Sequence, residues 1–255
     1  MEHIRILGSR AALTDYSEVM HLFDRWISEG GAHQVCIANV HTTVLGSEDE
    51  KFQKVTNSAG LVTMDGKPLV WAAKLKGNSN ASRVSGPDLM MKVFEVSEKN
   101  QYRHFLYGGA AGVPEKLKEI LETRFPGVKI VGVYSPPYRE LTTEEDNAVV
   151  SMINAANPDF LWVGLGAPKQ ENFIHDHLDR IDVPVQLGVG AAFDFLGGAK
   201  KNAPRWMQKI GMEWALRLVS EPKRLWKRYL MHNPRFIVFF IRQWLREKKK
   251  NDSII

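Results

Sequence analysis

Three kinds of residue in this chain are placed to do chemistry: carboxylates and amides that directly follow apolar runs, glycine turns in the same position, and a cluster of arginines and lysines near the C-terminus. Asp65 follows the run Leu61 to Met64 and precedes Gly66. A carboxylate delivered to a crevice by a buried strand can exchange a proton with a ligand. An Asp-Gly pair at a strand end is also ordinary turn chemistry, and spacing alone favours that reading. The stretch Pro158 to Gly198 is the densest. Phe160 to Leu165 is apolar and ends at Gly166, with Pro168, Lys169, Gln170 and Glu171 behind it; Val183 to Val189 carries Gly188 and Gly190 at its end, then Asp194. Gly164 and Gly166 form one such turn, and Gly108 with Gly109 forms another after Arg103 to Leu106. Glycine at a strand end lets backbone N–H groups approach a phosphate, so these turns point to a crevice for a nucleotide diphosphate. Three consecutive polar residues after a buried strand are more than a turn needs.

The elements that must position these groups follow from periodicity. Ser17 to Glu29 has apolar residues at helical spacing and stops at Gly30-Gly31. Gln34 to Val40 predicts a strand that ends at Asn39 and His41, and a mixed helix follows to about Asn57. Leu61 to Met64 is the next strand, with a helix from Pro68 to Leu75; the polar loop Asn78 to Ser85, containing Arg83, is expected to be a mobile edge of the crevice. A helix from Gly86 to Lys99 leads to the strand Arg103 to Leu106, the helix Pro114 to Arg124 and the strand Val128 to Val133. The loop Tyr134 to Glu140, with Tyr138, and a helix Glu144 to Ala156 come next, and Lys169 to Leu178 is helical behind Pro168. Strand, glycine turn, helix, strand is the order of a parallel sheet with right-handed crossovers and helices on both faces. The expected architecture is therefore an α/β, Rossmann-like unit over residues 1–198, followed by a helical appendage over 199–255.

Charge separates the two parts. Residues 199–250 hold 15 Lys and Arg against 3 Asp and Glu, while the remainder holds 19 against 26, within a net charge of +5. An acidic body with a basic tail predicts that the tail meets an anionic surface. Helices are expected from Ala203 to Leu218, from Pro222 to His232 and from Pro234 to Arg246. In the last, Ile237, Phe240, Ile241, Trp244 and Leu245 share one face, the pattern of a helix lying in a membrane interface; a helix packed on the core with a solvated basic face is the other reading. Nucleic acid would not need so bulky an apolar stripe. No run is long enough to span a bilayer, and the N-terminus lacks the apolar core of a signal peptide, so a peripheral protein on the cytoplasmic side is expected. The lone Cys36 lies in an apolar run and reads as a core residue. His175 and His177 are two apart on a predicted helix and do not share a face, so no metal site is expected.

These motifs resemble the bacterial WecG/TagA/CpsF glycosyltransferases over nearly the whole chain. The marks are Asp65-Gly66, Arg83 to Gly86, Tyr107 to Gly109, Val163 to Gly166 with Pro168 to Glu171, Gly188 to Gly190 through Phe193-Asp194, and Ala203-Pro204 through Gly211 to Trp214, Arg217-Leu218 and Glu221-Pro222. The resemblance implies an inverting, metal-independent transfer of a sugar from a UDP-sugar to a polyprenyl diphosphate-linked saccharide in cell-surface polysaccharide synthesis. It needs no cofactor, works at the cytoplasmic face of the inner membrane and leaves room for a homo-oligomer. It assigns catalysis to the Asp65 segment, where Asp65, at a buried strand's end, is the expected general base; His41, at the end of the preceding strand, is the rival base. Arg217 and Arg224 fall to the departing diphosphate, with Lys227 where close relatives carry a third arginine. Asn39, His41 and Arg83 fall to the acceptor; Gly108, Gly109, Tyr138, Gly164, Gly166, Gln170, Glu171 and Asp194 fall to the donor. One departure stands out: many members read Thr-x-Asn followed within two residues by Glu, where this chain reads Ile37-Ala38-Asn39-Val40-His41.

Two other classes compete. A nucleotide-sugar or dinucleotide oxidoreductase shares the sheet and the turns, but it wants GxGxxG after the first strand and an acid about twenty residues on. Neither stands near Ile4 to Gly8 or Val35 to Asn39. A noncatalytic membrane-surface scaffold leaves the polar strand ends unexplained.

Overall fold

The computed structural model of the chain describes residues 1–198, 207 and 212–252. It opens on a hairpin that the sequence reading did not anticipate, β1 (His3–Ile6) and β2 (Ser9–Ala12), paired antiparallel as a sheet of their own. The turn between them puts both Leu7 and Gly8 at positive φ, 51° and 84°. Hairpins of this length need that geometry, and a leucine at its first position hides the signal.

Helix α1 (Tyr16–Glu29) then leads into the main sheet through β3 (His33–Ala38), α2 (Val40–Glu48), α3 (Glu50–Ser58), β4 (Leu61–Met64), α4 (Lys67–Leu75), α5 (Gly86–Asn100) and β5 (Arg103–Gly108). It continues with α6 (Val113–Arg124), β6 (Lys129–Tyr134), α7 (Thr143–Ala156), β7 (Phe160–Gly164), α8 (Lys169–His177), β8 (Val185–Gly188) and α9 (Ala192–Leu196). The strand order is β4-β3-β8-β7-β5-β6 and every pairing is parallel. All six carboxyl ends therefore lie along one edge of the sheet.

Helices cover both faces, as the β-strand period demands. Val35, Ile37, Leu106, Phe160, Trp162 and Leu187 point to the side of α1, α5 and α6, where Phe23, Phe94 and Leu117 complete the core. Phe105, Tyr107, Leu161 and Val163 point the other way, under α7 and α8. Beyond them on that face, Cys36, Ala38, Val62 and Met64 lie under the hairpin and α4. Burial, and then the Glu171 carboxylate, push the Cys36 thiol well above its ordinary value, in keeping with a core role.

Three local expectations need correction. The single helix expected to Asn57 is two, because Asp49 ends α2 and caps α3, its carboxylate accepting from Lys51 N at 2.9 Å and Phe52 N at 3.1 Å. The loop before α5 is pinned: Val84 and Ser85 are buried, and Val84 N donates to Met64 O at 2.9 Å, prolonging the β4 edge. Finally, Pro234 does not start a new helix. After α10 (Glu213–Ser220), α11 runs unbroken from Pro222 to Asp252 with Pro234 inside it. A helix-interior proline costs about 3 kcal/mol, and α11 offsets that by burying Phe236 and Phe240 in the cluster beneath the hairpin and α4, about 1.5–3 kcal/mol each. Much of the expected helix from Ala203 lies outside the described residues. Among the described residues no helix is long and apolar enough to cross a membrane.

Candidate active site

The ends of β3 and β4 build one side of the site. Asp65 continues the β3–β4 ladder, its N–H donating to Ala38 O at 2.8 Å, so its position is fixed by the sheet. Arg83 reaches it from the pinned loop: Nε donates to Asp65 O at 2.6 Å and Nη2 to Oδ1 at 3.3 Å. The other arm of the guanidinium donates to Asp88 Oδ2 at 3.3 Å, and Asp88 is itself held by Ser85 Oγ at 2.6 Å. Asp65 is thus a mostly buried carboxylate braced by a guanidinium, more than an Asp-Gly turn requires. Asn39 caps α2: its Oδ1 accepts from His41 N at 3.0 Å and Thr42 N at 3.2 Å, which leaves its amide NH2 as the group for a ligand.

His41, on the first turn of α2, meets a residue that sequence reasoning missed. Its Nδ1 lies 2.6 Å from His232 Nδ1 on α11, with the ring centroids 4.6 Å apart and the ring planes 18° from parallel. Further along α11, Arg235 pairs with Glu48 at 2.9 Å, Gln243 accepts from Leu7 N at 2.8 Å, and Glu247 pairs with Lys76 at 2.8 Å. The C-terminal helix is therefore docked on the body. The apolar stripe splits: Phe236 and Phe240 turn inward, while Ile237 and Ile241 stay exposed.

Between α4 and α11 lies a cavity of about 800 Å³. Asn39, His41, Asp65, Arg83, Arg217 and His232 supply much of its polar lining, and Trp71, Leu75, Ile237, Ile241 and Trp244 much of its apolar lining. Arg217, on α10, stacks its guanidinium on Phe195 of α9 at 4.5 Å, one residue from Asp194. It joins the cavity lining to α9, the helix that follows Gly188 and Gly190. Arg224 lies in α11, but its side chain is outside those described, and Lys227 is exposed.

The glycine turns serve the sheet first. A Cβ at Gly108 would stand 2.7 Å from the backbone of Gly164, so the β5 and β7 ends approach only because Gly108 has none, while a Cβ at Gly164 would meet the Phe193 ring at 2.8 Å. Gly109 N donates to Gly164 O at 3.0 Å and Gly166 N to Gln170 Oε1 at 3.1 Å, so these two N–H groups are already engaged. Gln170 and Glu171 differ from expectation. Both are buried; Gln170 Nε2 donates to Glu171 Oε1 at 2.9 Å, and Glu171 faces the small space lined by Ser9, Cys36 and Thr43. They hold the turn rather than line its mouth. Tyr138 is fully exposed, with Lys169 Nζ 5.2 Å from its ring, and Asp194 is half-buried on the first turn of α9. Among the described residues no group of three or more His, Cys, Asp or Glu is arranged to hold a metal ion; His177 is spent on Asp146 and the Phe173 carbonyl, each at 2.7 Å.

The family model described as glycosyl transferase WecG/TagA/CpsF family matches residues 4–250. The chain belongs to that family. Curated relatives include an N-acetylglucosaminyldiphosphoundecaprenol N-acetyl-β-D-mannosaminyltransferase of Bacillus subtilis, 31% identical over 214 residues, which are 84% of this chain and 81% of the relative. The proteins of that name in Bacillus spizizenii and Staphylococcus aureus are 31% identical over 214 residues and 29% identical over 191. Asp65, Arg83 and the glycine turns lie along the carboxyl edge of the sheet, the edge at which open parallel sheets bind ligands.

Proposed function

We propose that the protein is an inverting glycosyltransferase that moves a sugar from a UDP-sugar to a polyprenyl diphosphate-linked saccharide. The observation that carries this reading is the shared cavity, in which the braced carboxylate of Asp65 opens onto an apolar groove the length of several helical turns. An acceptor that is part sugar and part lipid needs both. The relatives' names describe such an acceptor, a saccharide on diphosphoundecaprenol.

In the proposed reaction the acceptor hydroxyl attacks the anomeric carbon on the face opposite UDP. Asp65 takes the hydroxyl proton, the new C–O bond forms, and the bond to the β-phosphate oxygen breaks with its electron pair leaving on UDP. One displacement inverts the centre and needs no covalent intermediate. Arg83 holds Asp65 in place. Arg217, beside Phe195 and Asp194, is the group for charge developing on the diphosphate. Donor contacts are assigned to the turns at Gly108-Gly109 and Gly164–Gly166, to Asp194 and to Tyr138. The exposed Trp226, Leu230 and Met231 on basic α11 suit a peripheral membrane contact.

Incubation with a panel of UDP-sugars, an N-acetylglucosaminyl diphospholipid and excess chelator tests the reading. Transfer from one of them supports it and identifies the sugar; no turnover with any, or turnover only with added magnesium or manganese, counts against it.

A further inference from the structure

Helix α4 turns apolar side chains outward as well as inward. Leu69, Val70, Ala72 and Ala73 are buried in the cluster shared with the hairpin. Lys67, Trp71, Lys74 and Leu75 fall on the opposite face, at i, i+4, i+7 and i+8. Trp71 is 51% exposed and Leu75 64%. Across the cavity, Ile237 and Ile241 of α11 are 57% and 48% exposed. All four line the cavity and also meet solvent, so they form its rim. Lys76, at the C-terminal end of α4, pairs with Glu247 of α11 at 2.8 Å and holds the two helices together.

A contiguous apolar rim on a protein surface marks a contact with something else, and charge decides what. Helix α4 contains no acidic residue, and Lys74 is exposed beside Leu75. On α11 the exposed Arg242 and Arg246 directly follow the exposed Ile241 and Leu245. Glu247, the acid nearest to them in sequence, is engaged by Lys76. A second copy of the chain would bring lysines and arginines against lysines and arginines, which opposes association. Nucleic acid would satisfy the charges and leave the large apolar side chains in water. An anionic lipid surface offers both partners: headgroups for the cations, and an interface in which tryptophan and aliphatic side chains sit.

We propose that the outer face of α4, together with the facing rim of α11, seats on an anionic lipid surface. The proposal rests on the peripheral membrane contact proposed above for α11 and extends it to the body of the protein. Helix α4 begins two residues after Asp65. The mouth of the cavity then faces lipid, and the contact is not confined to the C-terminal helices.

The test is cosedimentation of the full chain with vesicles of equal parts phosphatidylglycerol and phosphatidylcholine, and with vesicles of phosphatidylcholine alone. Trp71→Ser with Leu75→Ser should weaken binding to the mixed vesicles by about tenfold or more, from the apolar area lost. Lys74→Glu should weaken it by about tenfold or more, two steps of charge near an anionic surface, and leave any binding to the neutral vesicles unchanged. Unfolding midpoints check that each variant is folded; if the apolar double variant is not, Lys74→Glu carries the test. Unchanged binding by either folded variant would overturn the proposal, and the contact then stays on α11 where Trp226→Ser with Leu230→Ser weakens it. Loss of self-association in light scattering, with vesicle binding intact, would overturn it in favour of a second copy. Wild-type chain that binds neither kind of vesicle would overturn the membrane contact on α11 and this extension with it.

Discussion

Replacing Phe240 with alanine separates the docking of the C-terminal helix from the stability of the sheet. Phe240 is 7% exposed and packs with Phe236 against the cluster beneath the hairpin and α4, while the sheet's remaining core clusters contain no residue of α11. Phe→Ala in a well-packed site costs about 3–5 kcal/mol. Among the described residues, the polar contacts of α11 with the body, at His41, Glu48, Leu7, Arg5 and Lys76, are hydrogen bonds and partly exposed ion pairs, the latter worth about 0–1 kcal/mol each. The apolar share of the docking therefore rests on Phe236 and Phe240, with the partly buried Trp244 beside them. Losing about 3 kcal/mol from a local opening reaction speeds exchange through that opening roughly 10²-fold. Amide hydrogen exchange by mass spectrometry reads this directly. In Phe240→Ala the amides of α11 should exchange faster by that factor, while those of β5, β7 and β8 keep their protection. A uniform loss of protection across the sheet, or unchanged protection in α11, would refute the reasoning.

Other outcomes follow from the same structure. Arg217→Ala should lower turnover by about 10²-fold or more while weakening UDP binding far less, since a leaving-group contact acts in the transition state; equal losses, measured by kinetics and calorimetry, would make it a ground-state contact. His104 is buried, with Trp162 donating to its Nδ1 at 3.2 Å and Ser97 Oγ 2.8 Å from its Nε2, and burial lowers its pKa from 6.5 to about 3. Below pH 6.5 the unfolded chain takes up a proton that the folded chain refuses, so this group's contribution to stability falls as pH falls, by up to about 1.4 kcal/mol per unit until pH 3. Denaturant midpoints against pH should show that slope, and His104→Gln should flatten it. Trp226→Ser with Leu230→Ser, both exposed on α11, should reduce flotation with anionic vesicles; unchanged flotation would move the membrane contact elsewhere.

Most of the sheet was legible because its strands are buried on both faces and read as apolar runs bounded by glycine. Leu61–Met64 was placed to the residue, and Asp65 with it. What escaped depends on partners distant in sequence. Pro234 reads as a break until Phe236 and Phe240 are seen buried against the body. Glu171 reads as a crevice carboxylate, but one turn of helix carries it beneath the sheet, among Ser9, Cys36 and Thr43. No local pattern joins His41 to His232, which are 191 residues apart. The stripe on α11 was visible, yet which part faces the body and which the groove depends on α4, whose Trp71 and Leu75 supply the facing wall.

The most direct test of the account is Asp65→Asn at saturating donor and acceptor. Asparagine keeps the shape and an oxygen for Arg83 but cannot take the proton. The account predicts that UDP-sugar binding is retained, that turnover falls by about 10²- to 10⁴-fold, and that His41→Ala under the same conditions keeps most of its maximal rate. A near-normal rate for Asp65→Asn with a dead His41→Ala would contradict it and make His41 the base.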